Sequence, residues 1–169
     1  MAAAYASSLG FEVQCGPVEE MLKHSKDGFF DVIISSMVLE HLFNPFEVVR
    51  QIARKLKPGG LFLFSTVVRD SLDAWMYGPY WSGFDFPRHM VHFRKQDVRD
   101  MVKDYFDVQQ ACHQSASIDF VRPASWRGRP VDNILKSAVS SKLGNSVSAL
   151  LSLLSLTSRV SFRCALRRT

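Results

Sequence analysis

Hydrophobic and polar positions change period twice between residues 30 and 66, and those changes outline the centre of the chain. Phe30, Val32, Ile33 and Ile34 form a short, nearly continuous apolar run rich in β-branched residues. That pattern predicts a strand buried on both faces of a parallel sheet. A polar loop, Ser35 to His41, follows. Asn44 then offers an N-cap, Pro45 suits the first helical position, and Glu47 stands three residues after the cap. Phe46, Val49, Ile52, Ala53 and Leu56 recur at helical spacing and predict one apolar face. Lys55 and Lys57 fall in the last turn, where positive charge complements the helix dipole. Pro58-Gly59-Gly60 stops the helix, and Leu61 to Phe64 begins a second buried strand. The whole is a β-α-β unit, for which a right-handed crossover is expected.

The flanks are simpler. Ala2 to Leu9 favours helix and Gly10 ends it. Phe11 to Cys15 alternates apolar and polar, as a strand does. Beyond Thr66 the periodicity lapses, and Asp73 to His92 gathers two Trp, two Tyr, two Phe, two Pro and two Gly. Lys95 to Tyr105 predicts a helix through Val98, Met101, Val102 and Tyr105, with Asp97 in its first turn. Phe106 to Ala111 predicts a strand. Ser125 to Val131 reads as a loop. Ser146 to Ser158 reads as a leucine-serine helix, too short and too polar to span a bilayer. Val160 to Leu166 fits a last antiparallel strand.

Composition narrows the class. The chain has 169 residues, 47% of them hydrophobic, with 13 Phe, enough for one ordinary core. The three cysteines, Cys15, Cys112 and Cys164, are scattered and form no C-x-x-C. They read as reduced thiols of a cytosolic protein rather than a disulfide or metal framework. No basic, apolar leader opens the sequence. Charge is uneven. Residues 1–120 hold 12 Lys and Arg against 15 Asp and Glu, while residues 121–169 hold 9 against Asp132 alone. The basic end, with Arg159, Arg163, Arg167 and Arg168, suits weak contact with an anionic membrane surface, so a peripheral location is an alternative to a purely cytoplasmic one. No nucleic-acid-binding motif is present.

The order FD, strand, VLEHL, NP, LKPGG, strand resembles the second half of class I S-adenosylmethionine-dependent methyltransferases of the type 11 and type 23 kind. The resemblance covers roughly residues 1–110. It implies an α/β, Rossmann-like fold whose sheet runs 3-2-1-4-5-7-6. On that pattern the chain is a single partial domain, truncated at its N-terminus. Residues 1–111 form the core with an insertion at 67–92, and residues 112–169 form a helical, basic extension. The family's first two strands and its Gly-rich cofactor loop have no counterpart here. The strand at 11–15 therefore lacks its neighbour, and the strand at 30–35 becomes an open, apolar edge.

The resemblance also implies site residues. S-adenosyl-L-methionine is the expected cofactor. Val18 and Glu19 match the loop that meets the adenine ring, where a carboxylate can accept from the amino group. Ser35, Ser36 and Met37 would border the cofactor at a strand's carboxyl end, where open α/β sheets place ligands. The insertion, with its Pro-Arg-His followed by His-Phe, would cover the substrate. Trp81 and Arg88 are its candidate substrate contacts, and Asp85 is an alternative partner for Arg88. His89 and His92, and less directly His41, are candidate bases for removing an acceptor's proton. Asp85, His89 and His92 show no four-ligand pattern, so no metal is expected of them. The implied function is methyl transfer to a small-molecule or lipid-linked acceptor. The alternative is a degenerate, non-catalytic interaction module of the same fold.

Overall fold

The computed structural model describes residues 2–114 and 159–166. A four-stranded sheet organises them. Its strands are β1 (Phe30–Ser36), β2 (Leu56–Val67), β3 (Phe106–Gln114) and β4 (Arg159–Leu166), in spatial order β1-β2-β4-β3. β1 and β2 are parallel; β4 runs antiparallel to both β2 and β3. This is the 4-5-7-6 end of the expected sheet. The final strand lies between its two predecessors rather than at an edge.

The helices are α1 (Ala2–Ser8), α2 (Val18–His24), α3 (Pro45–Lys55), α4 (Leu72–Tyr77) and α5 (Lys95–Val102). α3 joins the parallel pair, as the capping signals require. The Asn44 side chain accepts from the Glu47 amide at 3.1 Å, and Pro45 occupies the first turn. Val48, Val49, Ile52 and Ala53 are buried against Phe62 and Phe64 of β2 and against Val98, Met101 and Val102 of α5. Each such side chain contributes roughly 1.5–3 kcal/mol when fully buried.

Several expectations need correction. Phe46 is 48% exposed, so the inner face of α3 is carried by Val48 instead. α3 ends at Lys55, two residues before Lys57. Lys55 is buried and donates to the Ser25 carbonyl and to Asp27, both at 2.6 Å, while Lys57 pairs with Asp31. The Lys-Pro-Gly-Gly stretch bulges inside β2, between the pairs Phe30–Leu56 and Val32–Leu61. Gly60 is required there, because a Cβ would lie 2.9 Å from the Lys57 oxygen and 3.1 Å from that of Asp31. α5 stops at Val102, short of Tyr105, which packs on the core from a turn.

Residues 11–15 form no strand. They are exposed and pair with no strand, because no neighbouring strand among the described residues supplies a hydrogen-bonding ladder. β1 is not buried on both faces. Ile33 packs on the core, but Val32 and Ile34 are 45% and 71% exposed. No described element covers their face, and β1 is an edge strand of the described sheet. The leucine-serine helix of residues 146–158 and the loop of residues 125–131 lie outside the described residues.

Candidate functional site

The loop after β1 and the insertion after β2 meet at the carboxyl ends of these strands. Backbone bonds fasten them together. The Glu40 carbonyl accepts from the amides of Met90 and Val91 at 2.8 and 3.1 Å, and the Met37 amide donates to the Ser65 carbonyl at 2.9 Å. Met37 holds φ at +55°, an uncommon conformation for a side chain with a Cβ. Its side chain packs on a small second core of Val67, Ala74 and Trp81. Ser36 is exposed, and its hydroxyl lies 3.3 Å from that of Ser65.

The insertion is more ordered than its composition suggests. Ser71 caps α4, accepting from the Ala74 amide while its hydroxyl donates to the Val68 carbonyl. Trp81 is buried and meets Phe84 edge to face. A cavity of about 610 Å³ opens beside them, lined among others by Arg69, Asp70, Ala74, Trp75, Pro79 and Phe84. Its walls are mostly apolar with one guanidinium and one carboxylate, a common make-up for a small-molecule pocket.

The histidines are individually placed. His89 is buried, with Nδ1 2.7 Å from the Gly83 carbonyl. His41 is exposed on one side, with Nδ1 2.8 Å from the Arg88 carbonyl. The two rings lie 4.8 Å apart. His92 is half-buried, with Nε2 3.1 Å from the Phe84 carbonyl. Arg88 is exposed and ion-paired with Asp85. Glu40 is wholly buried, and its Oε2 accepts from the Thr66 hydroxyl at 2.9 Å. Glu40 belongs to the VLEHL stretch and was not among the expected site residues. The only sequence signal was its place beside His41 after a strand.

A methyltransferase-domain profile matches residues 6–109, well over half of the chain. The chain belongs to the methyltransferase domain family. The methyl donor of this family's S-adenosylmethionine-dependent members is S-adenosyl-L-methionine. Among curated relatives, the ubiquinone biosynthesis O-methyltransferase of Caulobacter sp. (strain K31) is 38% identical over 69 residues, covering 40% of this chain and 27% of the relative. The enzyme of the same name from Klebsiella pneumoniae subsp. pneumoniae is 34% identical over 85 residues, covering 50% and 33%. The chain thus spans about a quarter to a third of these relatives' lengths.

Solved structures agree on the Rossmann-like fold. A putative methyltransferase from Bacillus halodurans superposes with TM-score 0.59 at 19% identity, over 95% of this chain and 79% of that one. The [4+2]-cyclase SpnF superposes with TM-score 0.62 at 15% identity, over 99% and 62%. A protein named as a cyclase on this fold is a reminder that architecture alone does not name a reaction.

Val18 and Glu19, the residues expected at the adenine end, stand at the start of α2. Glu19 is half-buried at the start of α2, and its carboxylate has no hydrogen-bond partner among the described residues. It can accept from an exocyclic amino group. Val18 beside it packs on the core and anchors the turn.

Proposed function

We propose that this methyltransferase domain serves S-adenosylmethionine-dependent methylation of a hydroxylated small molecule or lipid-linked acceptor, with the insertion as the acceptor side. The observation that carries the reading is the seating of His89, His92 and His41 on the insertion and on the loop after β1, within a domain matched over residues 6–109. The relatives' name, ubiquinone biosynthesis O-methyltransferase, supports an oxygen nucleophile.

The cofactor supplies an electrophilic methyl group on a sulfonium. The chain's residues do the rest. Val18 and Glu19 would hold the adenine, and Ser35, Ser36 and Met37 would border the reacting end. The cavity beside Trp81 receives the acceptor, with Arg69 and Asp70 as its charged lining, and Arg88 on the same insertion is a further candidate contact. The acceptor's hydroxyl proton passes to His89 or His92. Each ring has one nitrogen engaged by a backbone carbonyl and the other left for that proton. Held in line, the oxygen needs little further help, because positioning supplies most of the acceleration in such displacements.

The test is transfer of a labelled methyl group to a panel of catechols and phenols, with and without long alkyl tails. Loss of a general base lowers the rate by about 10²–10⁴-fold. We expect His89→Gln or His92→Gln to lose that much in kcat while KM for the methyl donor stays within about twofold. Unchanged kcat in both variants overturns the assignment of the base. Absence of transfer to every acceptor, with the donor bound, favours a non-catalytic module.

A further inference from the structure

Glu40 presents an unanswered polar atom. The residue is fully buried, Thr66 satisfies Oε2, and Oε1 has no hydrogen-bond partner. A buried carboxylate oxygen left in this state is costly and calls for a cation or a donor. The guanidinium of Arg88 nearby is already committed to Asp85.

Two imidazoles share the place. A carboxylate oxygen of Glu40, a ring nitrogen of His41 and a ring nitrogen of His89 all lie within 4.8 Å of one another. In both rings Nδ1 faces a backbone carbonyl, that of Arg88 for His41 and that of Gly83 for His89. A carbonyl only accepts, so each Nδ1 must donate, and the neutral ring then keeps its lone pair on Nε2. Backbone carbonyls fix the tautomer of metal-binding histidines in the same way.

We propose that Glu40, His41 and His89 form a divalent-cation site, and that zinc is the ion it takes. Two imidazole nitrogens and one carboxylate oxygen suit zinc, with a fourth position left open. Ligand atoms about 2.1 Å from a tetrahedral ion sit roughly 3.4 Å apart, so the cluster needs to close by little more than 1 Å. His41, exposed on one side, has room to move. The ion joins two segments distant in sequence, the loop after β1 and the insertion, whose backbones already bond through the Glu40 carbonyl. It also neutralises the buried carboxylate. On the methyl-transfer reading, a His89 bound to zinc would leave His92 to accept the acceptor's proton. The site itself stands without that reading.

The test is direct. The 169-residue chain, stripped with a chelator, is titrated with zinc in competition with a chromophoric chelator, and with cobalt(II) for its visible bands. We expect one zinc per chain at micromolar or tighter affinity, and cobalt bands of a four- or five-coordinate site. Glu40→Gln, His41→Gln and His89→Gln should each weaken zinc by at least roughly tenfold. His24→Gln, at an exposed position of α2 outside the cluster, should not. Circular dichroism checks that each variant is folded, and the wild-type titration decides even if a variant is not. Folded wild-type chain that takes up neither metal overturns the proposal, as does zinc binding undiminished in folded His89→Gln. Neither methyl donor nor acceptor is present, so these outcomes are separable from the fate of the proposed reaction.

Discussion

At the scale of single residues, burial divides side chains that sequence treats alike. Cys15 and Cys164 are both free thiols, but Cys15 is exposed and Cys164 is buried in β4 against the helices. Burial disfavours the thiolate and pushes Cys164 up to about 12. Since the thiolate is the nucleophile, Cys164 should stay unmodified by an aromatic disulfide reagent at pH 8 while Cys15 reacts in the native chain. Mass mapping of the modified peptides checks this, and labelling of Cys164 should appear only on unfolding. Thr66 offers a second case. Its hydroxyl donates to the Glu40 carboxylate at 2.9 Å. Thr66→Val should lower stability by about 1–3 kcal/mol, read by denaturant unfolding, because it leaves a charged group buried with less support.

At the scale of elements, α3 and β1 behave oppositely. α3 is locally specified at both ends. Asn44→Ala should cost about 1 kcal/mol through loss of the cap to the Glu47 amide, measurable as a shift of the urea midpoint with unchanged slope. Glu47 itself turns forward, accepting from Arg50 and Gln51 rather than completing a reciprocal cap. The Arg50 hydrogen bond, first among its causes, holds the Glu47 carboxyl down at about 2. This support for α3 is therefore complete above the ordinary value of 4.5 and fades as pH falls toward 2. β1 depends on what lies beside it. Its open edge and exposed Val32 and Ile34 make it a template for non-native pairing. Ile34→Lys should lower self-association of the chain in light scattering with little change in secondary structure.

For the molecule as a whole, the sheet is closed from the far end of the sequence. Among the described residues β4 supplies the only hydrogen-bonded link between β2 and β3, which do not pair with each other and meet directly only through side chains such as Phe62 and Phe106. Removing residues 159–169 therefore strips β3 of its ladder and opens the core at Phe62, Phe64 and Phe106. We expect that deletion to abolish cooperative thermal unfolding, whereas trimming residues 167–169 should leave the transition within a few degrees. Among the described residues no helix is long and apolar enough to cross a membrane.

Local chemistry was enough to read most of the elements. The Asn44-Pro45 start, the β-α-β unit and the α5 stripe follow from capping and periodicity, which act over a few residues, whereas Gly60, expected to end a helix, serves a bulge inside β2. The order of motifs was enough to read the family and the final antiparallel strand. Which face of each element is buried was another matter. Phe46 and Val48 are both apolar on α3, and only the direction from which the sheet approaches decides that Val48 goes in. The same holds for β1, whose apolar run implies two covered faces, while burial requires neighbours that no local pattern supplies. The site followed this division. His89 and His92 stood out by composition, but Glu40 and His41 lie almost fifty residues from His89. Only the folding of the insertion back onto the loop after β1 brings a buried carboxylate and two oriented imidazoles together.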